Sequence, residues 1–360
     1  MSARGPVASG KRPDRIAGPA LLKIAIVKLS SLGDVIHALP VAHALRRSRP
    51  GIHLTWIVEA RECALLAGHP DLDGVVPVDT RLWRRLIWRP AGARQVVGKM
   101  RRLRRRVRSA RFDVAIDLQG LMKSGLLTAY TGAPIRIGFS ADRCRERLNC
   151  LFTNRRVRPP ETAVHVVDQY LSLLAPLGVI PGPVEFHVPL QPAAERRMED
   201  FLGEQGVKST DCLIAINPGA GRADKQWPVA HFRALADRLA REPDARILLL
   251  WGPDEVHMAR QIRDGLQTRA ILAPPTGLHE LGGLLRRASL MVANDTGPLH
   301  LAAALGTPSL GLYGPTRAER NGPYGPRCRG VQSPDGTMAS LTPDVAVDAA
   351  RALLAARRER

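Results

Sequence analysis

Residues 290–300 read Leu290-Met-Val-Ala-Asn-Asp-Thr-Gly-Pro-Leu-His300, and the fold turns on them. Leu290–Ala293 is a short apolar run without charge, as expected of a strand buried on both faces. Pro298 then suits the first turn of a helix. Between them, Thr296 or Asp295 can cap that helix, and Gly297 removes side-chain bulk. A helix start of this kind offers free N–H groups and the positive end of the helix dipole, a good seat for a diphosphate. His300 follows one turn on; it either faces that ligand or packs.

Two more junctions share the pattern. Leu213–Ile216 is an apolar strand running into Asn217-Pro218-Gly219-Ala220-Gly221, and Pro228 opens a helix to about Arg241. Small residues around Gly219 let main-chain N–H groups face a phosphate. Lys225, in Asp224-Lys225-Gln226-Trp227, adds a cation beside a diphosphate or is an ordinary surface lysine; Trp227 reads as packing. Lys23–Lys28 is the third strand, leading into Lys28-Leu29-Ser30-Ser31-Leu32-Gly33-Asp34. Gly33 permits a close backbone approach. Asp34 is placed to take a proton from an acceptor hydroxyl. The same residues, Ser31-x-x-Asp34, also spell a capping box.

Around these junctions strands and helices alternate. Strands are expected at Ile52–Val58, Gly74–Val78, Val114–Leu118, Ile135–Ile137, Arg246–Trp251 and Ser309–Tyr313. Helices are expected at Val35–Arg47 (kinked or restarted at Pro40), 93–108, from about Met122, Glu195–Gln205 and 344–357. The 93–108 helix should bury Val96, Val97, Met100, Leu103 and Val107 and turn its arginines outward. The series restarts after Pro181-Gly182-Pro183. The fold class is therefore α/β, with two doubly wound Rossmann-like domains facing a cleft. The expected division is a disordered lead-in over 1–20, a first domain over 21–182, a second over 183–342, and a C-terminal helix over 343–360.

Composition narrows the function. The chain has 360 residues and a net charge of +20, and thirteen Lys or Arg but no Asp or Glu lie between Arg81 and Arg111. Such a field attracts nucleic acid, anionic lipid or an acidic substrate, or is simply a solvated face. Aromatic residues make up 4%, too few for a protein built on base-stacking platforms. No segment reads as a membrane span or a secretory signal. Five scattered cysteines fit reduced thiols in a cytoplasmic protein. There is no G-x-G-x-x-G fingerprint, no Walker motif and no metal-ligand spacing, so hydride transfer, P-loop hydrolysis and a bound metal lose support.

Taken together, "KLSSLGDVIHALP" (28–40), "DLQGLMKSG" (117–125), "DKQWP" (224–228), "WGPDE" (251–255) and "ANDTGPLHLAAALGTPSLGLYGPT" (293–316) resemble the lipopolysaccharide heptosyltransferases of glycosyltransferase family 9. The likeness runs from about residue 22 to 350, and the first two segments resemble the first heptosyltransferases more than the second. It implies a GT-B fold and an inverting transfer that needs no metal or other cofactor. The implied donor is ADP-L-glycero-D-manno-heptose. The implied acceptor is the Kdo sugar of Kdo-bearing lipid A, on the inner face of the cytoplasmic membrane. Asp34 matches the family's general base and Lys225 the lysine at the donor phosphates. Gly219, Asp295, Thr296, Gly297 and His300 match donor-binding positions, and Glu255 a carboxylate near the ribose. Ser31, Gly33, Gln119 and Lys123 fall in the acceptor-side motifs. "TRLWRRLIWRP" (80–90) resembles the acceptor-binding region, so Arg81, Arg84 and Arg85 can pair with Kdo carboxylates or lipid phosphates. The arginine helix beside it can hold the enzyme on anionic lipid. Three other readings stay open: a related GT-B enzyme using another nucleotide sugar, or a nucleotide-sugar epimerase; a basic nucleic-acid-binding protein; and a donor-binding protein without catalysis.

Overall fold

The computed structural model describes residues 21–86 and 90–358; the lead-in expected over 1–20 and the side chain of Arg84 lie outside the described residues. The first sheet comprises β1 (Lys23–Val27), β2 (His53–Glu59), β3 (Gly74–Val78), β4 (Val114–Asp117), β5 (Ile135–Phe139) and β6 (Arg155–Val157). The second comprises β7 (Cys212–Asn217), β8 (Ala245–Leu249), β9 (Ala270–Leu272), β10 (Leu290–Asn294), β11 (Ser309–Tyr313) and β12 (Cys328–Gln332). The strand orders are β3-β2-β1-β4-β5-β6 and β12-β11-β10-β7-β8-β9. Every pairing is parallel. The two orders are one topology used twice. In each sheet the winding reverses between the two central strands, β1 with β4 and β7 with β10.

That reversal explains why the sequence reads as it does. Central parallel strands are covered on both faces, so β7 and β10 are buried throughout. The crevice beyond the carboxyl ends of the reversing pair is where such sheets bind ligands. The loops after β1, β7 and β10 all open there.

The helix expected over Val35–Arg47 is two helices, Leu32–Ile36 and Leu39–Ser48. Pro40 sits in the first turn of the second, where its missing N–H costs no hydrogen bond. In the Pro90–Ser109 helix, Val96 and Val107 are buried, but Val97 is 46% exposed. Neighbouring helical residues point about 100° apart, so with Val96 at the centre of the core face Val97 falls at its rim. The C-terminal helix, Pro343–Arg358, buries Ala346, Val347, Ala350 and Leu354 in one core with Leu235 and Leu239 of the second domain. All five cysteines are free. Among the described residues, no helix is long and apolar enough to cross a membrane.

The domains meet where the Leu32–Ile36 helix lies against Gly297–Ala304, each presenting a glycine to the other. A Cβ on Gly33 would stand 2.6 Å from His300 Cδ2, and one on Gly297 would stand 2.7 Å from Leu32 Cδ2. Two hydrogen bonds flank this contact, from the Tyr324 hydroxyl to Asp168 (2.9 Å) and between His165 Nε2 and the Gly322 carbonyl (3.0 Å).

Candidate active site

Asp34 stands at the third position of the short helix after β1. Its Oδ2 accepts from the Ser31 N–H and the Ser31 hydroxyl, each at 3.1 Å. The capping geometry foreseen in Ser31-x-x-Asp34 is therefore present. The same carboxylate also faces the cleft, because Asp34 lines a cavity of about 160 Å³ between the domains. Its Oδ1 accepts from Lys28 Nζ and the Tyr170 hydroxyl, each at 3.4 Å, and Lys28 Nζ donates to Tyr170 at 2.6 Å. Burial alone would raise the Asp34 pKa. The charges of Lys28 and Arg145 and the Ser31 N–H outweigh it and hold Asp34 well below the usual carboxylate range. Burial disfavours the Lys28 cation, but Asp34 and Tyr170 more than compensate and raise its pKa. The pair is therefore charged at neutral pH.

Across the cavity, Lys225 Nζ lies 2.6 Å from Asp295 Oδ2. Asp295 also accepts from the Thr316 hydroxyl at 3.0 Å, and its Oδ1 lies 3.2 Å from His300 Nε2. Burial would raise the Asp295 pKa; His300 and Lys225 overcome it and bring it to about 2. A buried carboxylate is poorly suited to touch a diphosphate directly. Asp295 instead holds Lys225 and His300 in place, while the Thr296–Gly297 helix start supplies the N–H groups. His300 does both things the sequence left open. Its ring is buried and packs edge-on against His37 at 4.2 Å, yet it also lines the cavity.

A second, larger cavity of about 570 Å³ adjoins the first and shares Thr296 and Gly297 with it. The loops after β7 and β8 form its walls, with Gly219, Trp251 and Glu255 among its lining. A Cβ on Gly219 would stand within 3 Å of the Glu255 carboxylate, so a glycine is required for that carboxylate to sit where it does. Glu255 Oε2 accepts the Gly252 N–H at 3.0 Å. Trp227 is fully buried and donates to the Leu341 carbonyl at 2.8 Å, a packing role.

Some candidates lie elsewhere. Gln119 is buried: its amide accepts from the Leu29 N–H at 3.0 Å and donates to the Ser30 carbonyl at 2.9 Å. It braces the loop bearing Asp34 instead of facing a ligand. Lys123 donates to the Thr80 hydroxyl at 3.3 Å and lies 3.7 Å from the buried Glu59, outside both cavities. Arg81 and Arg85 are exposed and line neither cavity. Sequence reasoning missed Lys28, Tyr170 and Arg145. Lys28 carried a signal, a lysine closing an apolar strand; Arg145 sits in an irregular loop with none.

A nucleotide-sized groove in the second of two Rossmann-like domains, adjoining a smaller interdomain cavity where a carboxylate faces a lysine and a helix start, defines a glycosyltransferase of the GT-B class. The chain belongs to glycosyltransferase family 9 (heptosyltransferase), whose model matches residues 100–346. It is 34% identical to lipopolysaccharide heptosyltransferase 1 of Pseudomonas aeruginosa over 84% of this chain and 82% of that protein. It is 33% identical to lipopolysaccharide heptosyltransferase 1 of Salmonella typhimurium over 89% of this chain and 97% of that one. The Escherichia coli heptosyltransferase WaaC, solved with ADP-2-deoxy-2-fluoro heptose, superposes with a TM-score of 0.74 at 28% identity, covering 93% of this chain and all of that one.

Proposed function

We propose that this chain transfers heptose from ADP-L-glycero-D-manno-heptose to Kdo of the lipopolysaccharide inner core, with inversion. One observation carries the reading: Asp34 from one domain and Lys225, Thr296 and His300 from the other line a single cavity beside a nucleotide-sized groove. ADP would fill the larger cavity, with its diphosphate at the Thr296–Gly297 helix start and Glu255 beside the ribose. The sugar would then project into the smaller cavity toward Asp34.

The step is a single displacement. The acceptor oxygen forms a bond to the anomeric carbon as the bond to the diphosphate breaks, and the hydroxyl proton passes to Asp34. Lys28 and Tyr170 keep Asp34 ionised and aimed before the reaction. Its low pKa means that the proton is quickly lost to solvent afterwards. An alcohol becomes acidic only as its oxygen bonds to the sugar, so a weakly basic carboxylate suffices at that moment. Lys225 and the N–H groups of the helix start take up charge on the departing ADP, which makes a metal ion unnecessary for this step. Closing the domains excludes water from the attack.

Arg320 from the second domain and Arg145 from the first both line the cavity; on the acceptor side Arg145 suits a Kdo carboxylate. Arg81, Arg84 and Arg85 would serve the more distant lipid phosphates. The exposed arginines of the Pro90–Ser109 helix would hold the enzyme on the cytoplasmic face of the inner membrane. Expression in a Gram-negative strain lacking heptosyltransferase 1 tests the reading: full-length core should return on a lipopolysaccharide gel. A core still truncated at Kdo, with the protein expressed and folded, counts against it.

A further inference from the structure

We propose that His43, Asp71 and His187 form a site for one first-row divalent cation of the zinc class, which pins the interdomain connection to the first domain. The three residues come from separate parts of the chain. His43 lies on the Leu39–Ser48 helix, Asp71 on the loop before β3, and His187 on the irregular segment leading to the second domain. Each offers one ligand atom, and these atoms all lie within 4.8 Å of one another. Asp71 Oδ2 stands 2.8 Å from His187 Nδ1 and 3.4 Å from His43 Nδ1. Two donors on a tetrahedral zinc stand roughly 3.4 Å apart, given metal–ligand lengths near 2.1 Å. Small side-chain rotations would therefore bring all three onto one ion. Two imidazoles and one carboxylate form a borderline donor set suited to Zn²⁺, Fe²⁺ or Co²⁺ rather than Mg²⁺ or Ca²⁺.

The surroundings are those of a built site. Both ring nitrogens of His43 are buried without a hydrogen bond among the described residues, which is costly unless something binds them. Arg46 holds the loop by donating to the Asp71 carbonyl at 3.1 and 3.3 Å, and it pairs with Asp73 at 2.5 Å. The Asp71 N–H donates to His69 Nδ1 at 3.2 Å. Glu185 lies on the far side of the two imidazoles, with Oε2 3.6 Å from His43 Nε2 and 3.8 Å from His187 Nε2. A carboxylate behind a ligating histidine orients the ring and strengthens its donor nitrogen. None of these residues lines the cavity that holds Asp34 and Lys225. The cation is therefore structural: it fixes where the connection leaves the first domain. Its remaining positions are filled by water.

The test uses untagged, full-length protein stripped with EDTA and titrated with Zn²⁺ by calorimetry. One ion should bind per chain. His187→Gln changes a side chain that is 34% exposed and should fold; it should weaken binding at least about tenfold, as should Asp71→Asn. Because Cys144 and Cys150 Sγ lie 3.5 Å apart, Co²⁺ supplies the control. Bound to histidine and carboxylate, it should show visible absorption without the near-ultraviolet bands of thiolate ligation. No stoichiometric Zn²⁺ binding, binding unchanged in folded His187→Gln, or thiolate bands with Co²⁺ would each overturn the proposal.

Discussion

Gly33→Ala adds a single methyl group where the two domains touch. The new Cβ would stand 2.6 Å from His300 Cδ2, about 1 Å inside normal carbon–carbon contact. The ring cannot easily yield, since it is buried, hydrogen-bonded to Asp295 and packed edge-on against His37. The Leu32–Ile36 helix must therefore retreat from Gly297–Ala304, carrying Asp34 away from the donor. Within the helix itself alanine is favourable by up to about 1 kcal/mol, against an overlap cost of about 1–3 kcal/mol, so the fold should survive. A misplacement of about 1 Å at a reacting centre costs about 10²-fold. Steady-state turnover should therefore drop roughly 10- to 100-fold. ADP affinity by calorimetry should change less than about threefold, because the groove is built almost wholly from the second domain. In a His300→Ala background the same substitution should cost almost nothing more, since the clash is gone. Turnover of Gly33→Ala within twofold of wild type would refute the idea that this contact sets the catalytic distance.

Asp34→Asn should cut turnover by about 10²-fold or more while ADP still binds; near-normal turnover would leave Asp34 as only a helix cap. Its folded-state pKa is depressed, so its stabilising contribution is present above the unfolded value of about 3.9 and is lost as pH falls further. Melts of wild type and Asp34→Asn should therefore converge at acid pH, and a gap that widens on acidification would contradict the Lys28 pairing. Lys225→Ala should weaken ADP binding about 10- to 100-fold, the value of a charge-assisted hydrogen bond, and unchanged affinity and rate would remove it from the site. Replacing Arg101, Arg105 and Arg108 with Gln should lower affinity for anionic vesicles by roughly two orders of magnitude, with the difference shrinking in salt and little effect on a short soluble acceptor. If tight RNA or DNA binding falls instead, the basic segment serves nucleic acid.

The sequence makes the centre of each sheet legible and hides three of the four edge strands, β3 being the exception. β1, β4, β7 and β10 are covered on both faces and read as apolar runs. The strands missed were β6, β9 and β12, all at or near an edge. β6 and β9 have three residues each, and β12 (Cys-Arg-Gly-Val-Gln) is mostly exposed. Edge strands are often short or polar, and so lose their periodic signal; β9 is apolar but only three residues long. The helix Leu278–Arg287 was missed because Gly282 and Gly283 lower its propensity. They are there to let it approach Leu190, Glu195 and Met198, a tertiary demand that local pattern does not show. The site divides in a similar way. Asp34, Lys225 and Asp295 sit on strand–loop–helix junctions whose chemistry is local, and the cavity brings them together. Tyr170 and Arg145 act on Asp34 from places far along the chain, while Lys28, only six residues away, is hidden as the closing residue of an apolar strand. His43, Asp71 and His187 are scattered further still, so no spacing rule for metal ligands could find them.

The central claim is tested most directly by offering purified protein Kdo-lipid A with ADP-L-glycero-D-manno-heptose, UDP-sugars and GDP-sugars in parallel, and weighing the acceptor by mass spectrometry. The ADP-heptose reaction alone should add one heptose to the acceptor, and Asp34→Asn should nearly abolish it. Transfer from a UDP- or GDP-sugar in preference, or no gain in mass with ADP-heptose, would contradict the account.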